Sequence, residues 1–381
     1  MADKRWSIYC RVVDNYGDIG VCWRLACQLH HNAPVLQGAE ITLWVDDLVT
    51  FSRLQPALTL DSCQVIDGIT IRRWDEASAD LVPAPADVVI EAFACELPHK
   101  LISAMRQQHP SPVWLNLEYL SAEPWVASCH GLPSPQGGGL NKYFFFPGFT
   151  TGTGGVPGEE DLPARRAAWT RADRNAWLGW HGVANPDAFT LSLFAYENAA
   201  VPGLLAQWQA SPVPLNILVP EGRVLTSLRP ALGVEELAAG QVIPHGAATI
   251  YIVPMLPQTD YDFLLWSCDL NFVRGEDSFV RAQWAALPLV WHIYPQEDGA
   301  HRVKLAAFLD LYLANVADDV AQALRQFWLG WNCGELVTNA WQDLMVQWPA
   351  LQAHAPAWAA HLEGLGNLTA NLARFVNARL K

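Results

Sequence analysis

At 381 residues, with 51% hydrophobic residues, 18 tryptophans and only 16% charged residues, the chain carries enough apolar surface for two sizeable cores and does not belong to the disordered class. A formal charge of −14 argues against a protein that coats nucleic acid or an anionic membrane, and leaves a mononucleotide or a basic protein segment as the partners to expect. The 8 cysteines are scattered without a C-x-x-C pair, which reads as small core residues in a reducing cytoplasm, not as zinc ligands or a disulfide framework.

In chain order, Met1 to Trp6 is charged and runs straight into Ile8-Tyr9-Cys10 without the apolar stretch of a signal peptide, and no later run has spanning length, so a soluble protein is expected. Trp6 to Val13 predicts a strand, Asp14-Asn15-Tyr16-Gly17-Asp18-Ile19-Gly20 a polar glycine loop, and Val21 to Leu29 a helix. Strand candidates follow at Glu40 to Val45, Val65 to Arg72, Val88 to Phe93 and Val113 to Leu117. This is the pattern of a doubly wound α/β sheet, whose functional loops lie beyond the carboxyl ends of its strands. Asp14 to Gly20 and Asn116-Leu117-Glu118 fall there. Pro133 to Gly158 is rich in Pro, Gly, Thr and Asn around Tyr143 to Phe146, and Asp161 to Trp180 has helical spacing; both read as a structured connection.

A second alternation runs through Phe189 to Tyr196, Leu215 to Val219, Thr249 to Val253, Leu270 to Val273 and Leu289 to Ile293. The remainder turns helical over Val303 to Phe308, Val320 to Trp328, Leu336 to Trp348 and Leu368 to Leu380, with Pro349 and Pro356 as breaks. The expected division is an N-terminal Rossmann-like domain over 1–187 with the connection, a C-terminal one over 188–358, and a last helix over 359–381 packing back on the first domain. Two facing α/β domains make a cleft suited to a small ligand. Neither G-x-G-x-x-G nor a P-loop occurs, which disfavours dehydrogenase and P-loop chemistry.

Three groups of residues stand out. Asp14 and Asp18 flank Gly17 ahead of a helix, and Glu118 ends a strand. Turn and cap chemistry or a strand-end surface position accounts for each of them singly, whereas together they suit a general base or a pocket for a guanidinium. Phe194-Ala195-Tyr196 ends one strand and Pro254-Met255-Leu256-Pro257-Gln258 follows another, with Tyr261 and Asp262 beyond. They read either as core and a proline turn or as aromatic walls and an amide for a nucleobase. Finally, Arg274-Gly275-Glu276-Asp277-Ser278 lies between a strand and a helix, and by itself reads first as an ordinary capped helix with a surface arginine, with a phosphate cradle as the alternative. Asp277 and Ser278 are residue types that cap a helix start, Gly275 permits close backbone approach, and Arg274 beside a helix N-terminus suits a diphosphate that Tyr294 would also meet. Glu276 repels phosphate, so within such a site it would face sugar hydroxyls. The Asp46-Asp47 and Asp318-Asp319 pairs read as helix-start charges, and no histidine pair has metal-ligand spacing.

Across nearly its whole length the chain resembles the protein-arginine rhamnosyltransferases of the EarP type, which modify bacterial elongation factor P. The resemblance is carried by Asp14 to Gly20, Asn116-Leu117-Glu118-Tyr119-Leu120-Ser121-Ala122-Glu123, Pro147-Gly148-Phe149-Thr150, Phe194-Ala195-Tyr196-Glu197-Asn198 and Arg274 to Ser278, in that order. It implies a GT-B glycosyltransferase fold of two facing Rossmann-like domains with an interdomain cleft, dTDP-β-L-rhamnose as donor, inversion at the anomeric carbon, and an acceptor arginine on the N-terminal domain of elongation factor P. It further implies Asp18 as base, with Asp14 and Glu276 critical, and Asn15, Tyr16, Gly17 and Glu118 on the acceptor side. Phe194, Tyr196, Met255, Gln258, Tyr261, Arg274, Asp277, Ser278 and Tyr294 would surround the donor. Met255 stands where relatives carry an aromatic, so softer base stacking is expected. No cofactor, metal, membrane or nucleic acid is implied. The alternatives are a non-catalytic nucleotide-sugar or translation-factor binding protein and a GT-B enzyme using another donor such as UDP-GlcNAc.

Overall fold

Runs rich in Val, Ile, Leu and Trp become buried strands when both faces of a sheet are covered by helices. The computed structural model describes residues 4–13, 16–31, 39–74, 84–296, 299–335 and 339–380. It divides into two units, Met1–Glu160 with Leu362–Lys381, and Asp161–His361.

In the first unit the strands are β1 (Arg5–Cys10), β2 (Glu40–Val45), β3 (Cys63–Ile66), β4 (Ile69–Arg73), β5 (Val88–Ala92), β6 (Val113–Leu117), β7 (Pro133–Pro135) and β8 (Asn141–Phe145). Among the described residues they form one sheet in the order β3-β4-β2-β1-β5-β6-β8-β7. The pairs β3/β4 and β7/β8 are antiparallel and the others parallel. β1 is the hub, with Ile8 opposite Leu43 of β2 on one side and Ile90 of β5 on the other. The strand order reverses there, and the loops leaving β1 and β5 open at the position where such sheets hold ligands.

Val65 to Arg72, expected as one strand, is a hairpin. Asp67 (φ 51°) and Gly68 (φ 80°) turn the chain in the left-handed region, the pair of positive φ angles that a two-residue hairpin turn demands. A Cβ at Gly68 would lie 2.3 Å from the His30 ring. The expected Pro133 to Gly158 connection likewise contributes strands, β7 and β8.

The second unit repeats the plan with β9 (Phe189–Leu193), β10 (Leu215–Pro220), β11 (Val242–His245), β12 (Ala248–Val253), β13 (Leu270–Arg274) and β14 (Leu289–His292). Their order is β11-β12-β10-β9-β13-β14, with β11/β12 antiparallel and the other pairs parallel. β9 is the hub between β10 and β13, so this switch point lies between the loops after Leu193 and Arg274. Helices follow at Ala300–Tyr312, Asp318–Cys333, Ala340–Val346 and Trp348–Gly364. Pro349 sits in the first turn of the last of these, where its missing N–H costs nothing, and Pro356 lies inside it, so neither proline breaks the helix.

The division between the units falls at Glu160/Asp161 and again at His361/Leu362, where the sequence reading set 187/188 and 358/359. The reason is local bonding. Helix Arg171–Trp180 is closed by a Thr170–Asp173 capping box, and its Arg174 bonds to the Ser267 carbonyl at 3.0 Å and to Asp269 at 3.3 Å, which ties it to the second sheet. At the other end, Leu368 N–H donates to the Val156 carbonyl at 3.2 Å and Thr369 Oγ1 to Gln28 Oε1 at 2.6 Å, so helix Leu368–Asn377 packs on the first unit. Cys10, Cys22, Cys95 and Cys268 are buried as small core residues, whereas Cys63 and Cys333 are exposed. Among the described residues no helix is long and apolar enough to cross a membrane.

Candidate active site

In the first unit the chain leaves β1 at Cys10 and enters helix Tyr16–His31, whose first turn carries Asp18. A carboxylate there is favoured by the positive end of the helix dipole. Asp18 is 1% exposed. Its Oδ2 accepts from Val13 N–H at 2.8 Å and its Oδ1 from the Tyr119 hydroxyl at 3.1 Å. Tyr119 in turn stacks on Phe93, with centroids 4.3 Å apart and planes at 12°. Phe93 opens the loop after β5, where Phe93, Ala94 and Glu96 all have positive φ of 51° or more, a costly conformation for residues with a Cβ and one that clusters at functional sites. The buried Asn116 supports this loop: its Oδ1 accepts from Ala94 N–H at 3.1 Å and its Nδ2 donates to Glu118 Oε1. Glu118 is half-buried, not a loose strand-end residue.

Of the expected acceptor-side set, Tyr16 and Gly17 open the helix, and Asp18 and Glu118 gather at the carboxyl edge of the sheet. Asp14 and Asn15 lie outside the described residues. Tyr119, Asn116 and Phe93 are the residues sequence reasoning missed. Their signal was position, since Tyr119 and Asn116 bracket Glu118 within a block already singled out. Three of the paired aspartates lie at helix starts: Asp47 caps its helix by accepting from Thr50 N–H at 3.0 Å, and Asp318 and Asp319 lie in the first turn of theirs, whereas Asp46 accepts from Val12 N–H at 2.9 Å.

In the second unit the loops after β9 and β13 bring Phe194, Tyr196 and Arg274 together. The Arg274 guanidinium carbon stands 4.5 Å from the Phe194 ring centroid and 4.8 Å from that of Tyr196. A cation over aromatic faces is held by their quadrupoles, while its edge donors remain directed in the plane. Arg274 is 5% exposed. Gly275 takes φ 59°, its carbonyl accepts from Trp291 Nε1 at 2.7 Å, and its N–H donates to the His292 carbonyl at 3.1 Å. The loop is therefore fixed from β14.

One expectation is corrected. Glu276, not Asp277 or Ser278, is the N-cap of helix Asp277–Trp284, and it makes no side-chain cap bond. Ser278 turns backward instead, its Oγ accepting from Arg274 N–H at 3.0 Å and donating to the Arg274 carbonyl. Asp277 accepts from Gln258 Nε2 at 3.1 Å, so the amide expected on a base edge is bonded to the start of the helix that follows β13. Tyr261 is tilted against Phe194 at 5.9 Å. Burial pushes the pKa of its hydroxyl up. Asp262 faces away, held by Arg281 in a buried two-point ion pair. Tyr294 meets the edge of Tyr196 at 5.5 Å, and Met255 is half-buried.

Two residues join this set that the sequence did not single out. His292 packs edge-on to Tyr196 at 5.3 Å, and burial, reinforced by the Arg274 charge, pushes its pKa down to about 4. Arg223 lies 5.4 Å from the same Tyr196 ring and pairs with Glu197 at 2.7 Å. Chemically, the second unit offers cations on an aromatic floor, which suits the diphosphate and base of a nucleotide, and the first offers oriented carboxylates, which suit a guanidinium. Among the described residues no group of three or more His, Cys, Asp or Glu side chains is placed to hold a metal ion.

Residues 6–377 match the family model described as elongation factor P (EF-P) rhamnosyltransferase EarP. The chain is 48% identical over 374 residues to a protein-arginine rhamnosyltransferase of Pseudomonas aeruginosa, covering 97% of this chain and 98% of the relative. To that of Neisseria meningitidis it is 35% identical over 383 residues, covering 98% and 97%. A solved structure described as the structural basis for EarP-mediated arginine glycosylation of translation elongation factor EF-P superposes with a TM-score of 0.70 at 34% identity, covering 99% of this chain and 100% of that one. An α-glucosyltransferase bound to UDP-glucose and DNA aligns with a TM-score of 0.51 at 9% identity, covering 99% and 100%, which is a likeness of fold alone. The fold is thus that of the GT-B glycosyltransferases, and the chain belongs to the EarP family of protein-arginine rhamnosyltransferases.

Proposed function

We propose that this protein moves L-rhamnose from dTDP-β-L-rhamnose to an arginine on the N-terminal domain of elongation factor P, with inversion and without a metal ion. The observation that carries the donor half is the Arg274 guanidinium set between Phe194 and Tyr196 at the switch point of the second sheet. There it would meet the diphosphate, with the N-terminus of helix Asp277–Trp284 beside it. Phe194, Tyr196, Tyr261 and Met255 would face the base, Tyr294 the phosphates, and Glu276 the sugar hydroxyls. No cofactor beyond the donor is invoked. Action on a translation factor places the protein in the cytoplasm.

The chemical difficulty is the nucleophile. A guanidinium has a pKa of roughly 12.5 or above, so prior deprotonation by a carboxylate is far uphill. Asp18, assisted by Asp14 or Glu118, grips the guanidinium and aims one nitrogen at the anomeric carbon. Asp18 is 1% exposed, and Val13 N–H at 2.8 Å and the Tyr119 hydroxyl at 3.1 Å orient its carboxylate for that contact. The C–N bond forms as the bond to the phosphate oxygen breaks, the nitrogen's proton passes late to Asp18, and dTDP departs with its charge met by Arg274. Intact-mass analysis of elongation factor P after incubation with a panel of nucleotide sugars tests this reading. One added rhamnose with dTDP-rhamnose supports it, and an α-linked product supports inversion. Transfer from another nucleotide sugar, or binding without product, overturns it.

A further inference from the structure

The loop leaving β10, Glu221-Gly222-Arg223, brings a second guanidinium to the ring that Arg274 already occupies. Arg223 stands 5.4 Å from the Tyr196 centroid, against 4.8 Å for Arg274. A Cβ at Gly222 would lie 3.4 Å from the Phe194 ring, so this loop passes against the same aromatic wall. β10 neighbours β9 in the sheet, and the loops after β9, β10 and β13 therefore open along one edge.

Two cations over one ring repel, and Glu197 offsets that repulsion. Its Oε2 lies 2.7 Å from Arg223 Nε. Burial, which would raise the Glu197 pKa, is outweighed by Arg223 and Arg274, and its carboxyl is held below the usual range. With side chains 45% and 40% exposed, the pair adds little to stability. What it does is hold a guanidinium at a defined place beside the proposed phosphate site. A nucleoside diphosphate carries more negative charge than one guanidinium offsets, and arginine is the side chain whose planar fork meets phosphate oxygens two at a time.

We propose that Arg223 is a second binding residue for the diphosphate of a nucleoside-diphosphate donor, and that Glu197 is the positioning residue that aims it. This rests on the donor reading of Arg274.

Calorimetry with dTDP as the probe separates the two. Arg223→Gln is expected to weaken dTDP binding roughly tenfold or more, the size of one charge-assisted hydrogen bond, and to flatten its salt dependence. Arg223→Lys should recover part of the loss, which keeps the test valid if the glutamine variant folds poorly. Glu197→Gln should cost less, and should cost nothing further when combined with Arg223→Gln, because a positioning residue acts only through the group it positions. Wild-type dTDP affinity in Arg223→Gln, together with loss in Arg274→Ala, overturns the proposal and leaves the donor site standing. Wild-type affinity in both variants overturns the donor reading and this inference with it. Additive losses for Glu197→Gln and Arg223→Gln overturn the role given to Glu197.

Discussion

The two sheets share a plan and differ in charge. In each, a hub strand is flanked on both sides by parallel neighbours, and the functional loops leave at the reversal of strand order. In the first unit that edge gathers Asp18 and Glu118, held by a backbone N–H, a tyrosine hydroxyl and an asparagine amide. In the second it gathers Arg274 and Arg223 on Phe194 and Tyr196. Topology thus sets where a ligand goes, while loop residues set the sign of what is accepted. The means of fixing the charge also differ. The carboxylates are oriented by donors pointed at their oxygens, whereas Arg274 and Arg223 rest against ring faces, with Glu197 holding Arg223 as well.

The hardest blow to this comparison would come from Asp18→Asn. It removes the proton acceptor but keeps the shape, so transfer should fall by about 10²- to 10⁴-fold with dTDP affinity unchanged. Steady-state rates and calorimetry on the same preparation check both halves, and near-native transfer would strip the first unit of its assigned role.

The next effect is on stability. Because the His292 pKa is depressed to about 4 from an ordinary 6.5, the unfolded chain takes up that proton first as pH falls. The stabilisation held by neutral His292 is complete above about pH 6.5 and is lost as pH drops toward 4, on the order of 3 kcal/mol in all. Denaturant unfolding at stepped pH should show this slope, and His292→Asn should flatten it. An unchanged slope in His292→Asn would mean that burial and the Arg274 charge do not act on His292 as described.

Arg274→Ala should weaken dTDP binding by roughly 1.5–3 kcal/mol, the range for a hydrogen bond to a charged group. Undiminished affinity by calorimetry would remove the cation from the donor half. The smallest expected change is from Tyr119→Phe, which loses the hydroxyl bond to Asp18 while the stack on Phe93 remains possible. It should lower kcat by the equivalent of about 0.5–1.5 kcal/mol with little change in melting temperature. A large loss of stability instead would make Tyr119 a packing residue, not an orienting one.

Much of this was already written in the order of residue types. β2 and β6 occupy the predicted spans Glu40–Val45 and Val113–Leu117, because an apolar run long enough for one strand and bounded by polar residues has few other ways to be buried. The strand–loop–helix at Arg274 to Ser278 was legible for the same local reason, whereas Asp18, read within a loop ahead of a helix beginning at Val21, lies in the first turn of a helix that begins at Tyr16. The hairpin at Asp67-Gly68 was missed although its turn signal is local, because the apolar spacing continues across it.

What folding alone decided are the partnerships. Tyr119 reaches Asp18 across 101 residues, Gln258 reaches Asp277 from another loop, Ser278 bonds back to Arg274 instead of capping its helix, and Arg223 from the loop after β10 and His292 from β14 both pack on Tyr196. Periodicity within a segment determines which face is buried, so the chain by itself specified its central parallel strands, its α/β class and the loops that carry charge, while the antiparallel edge strands were missed. Which side chains meet depends on the order in which strands are laid into the sheet, and only the tertiary structure decided that.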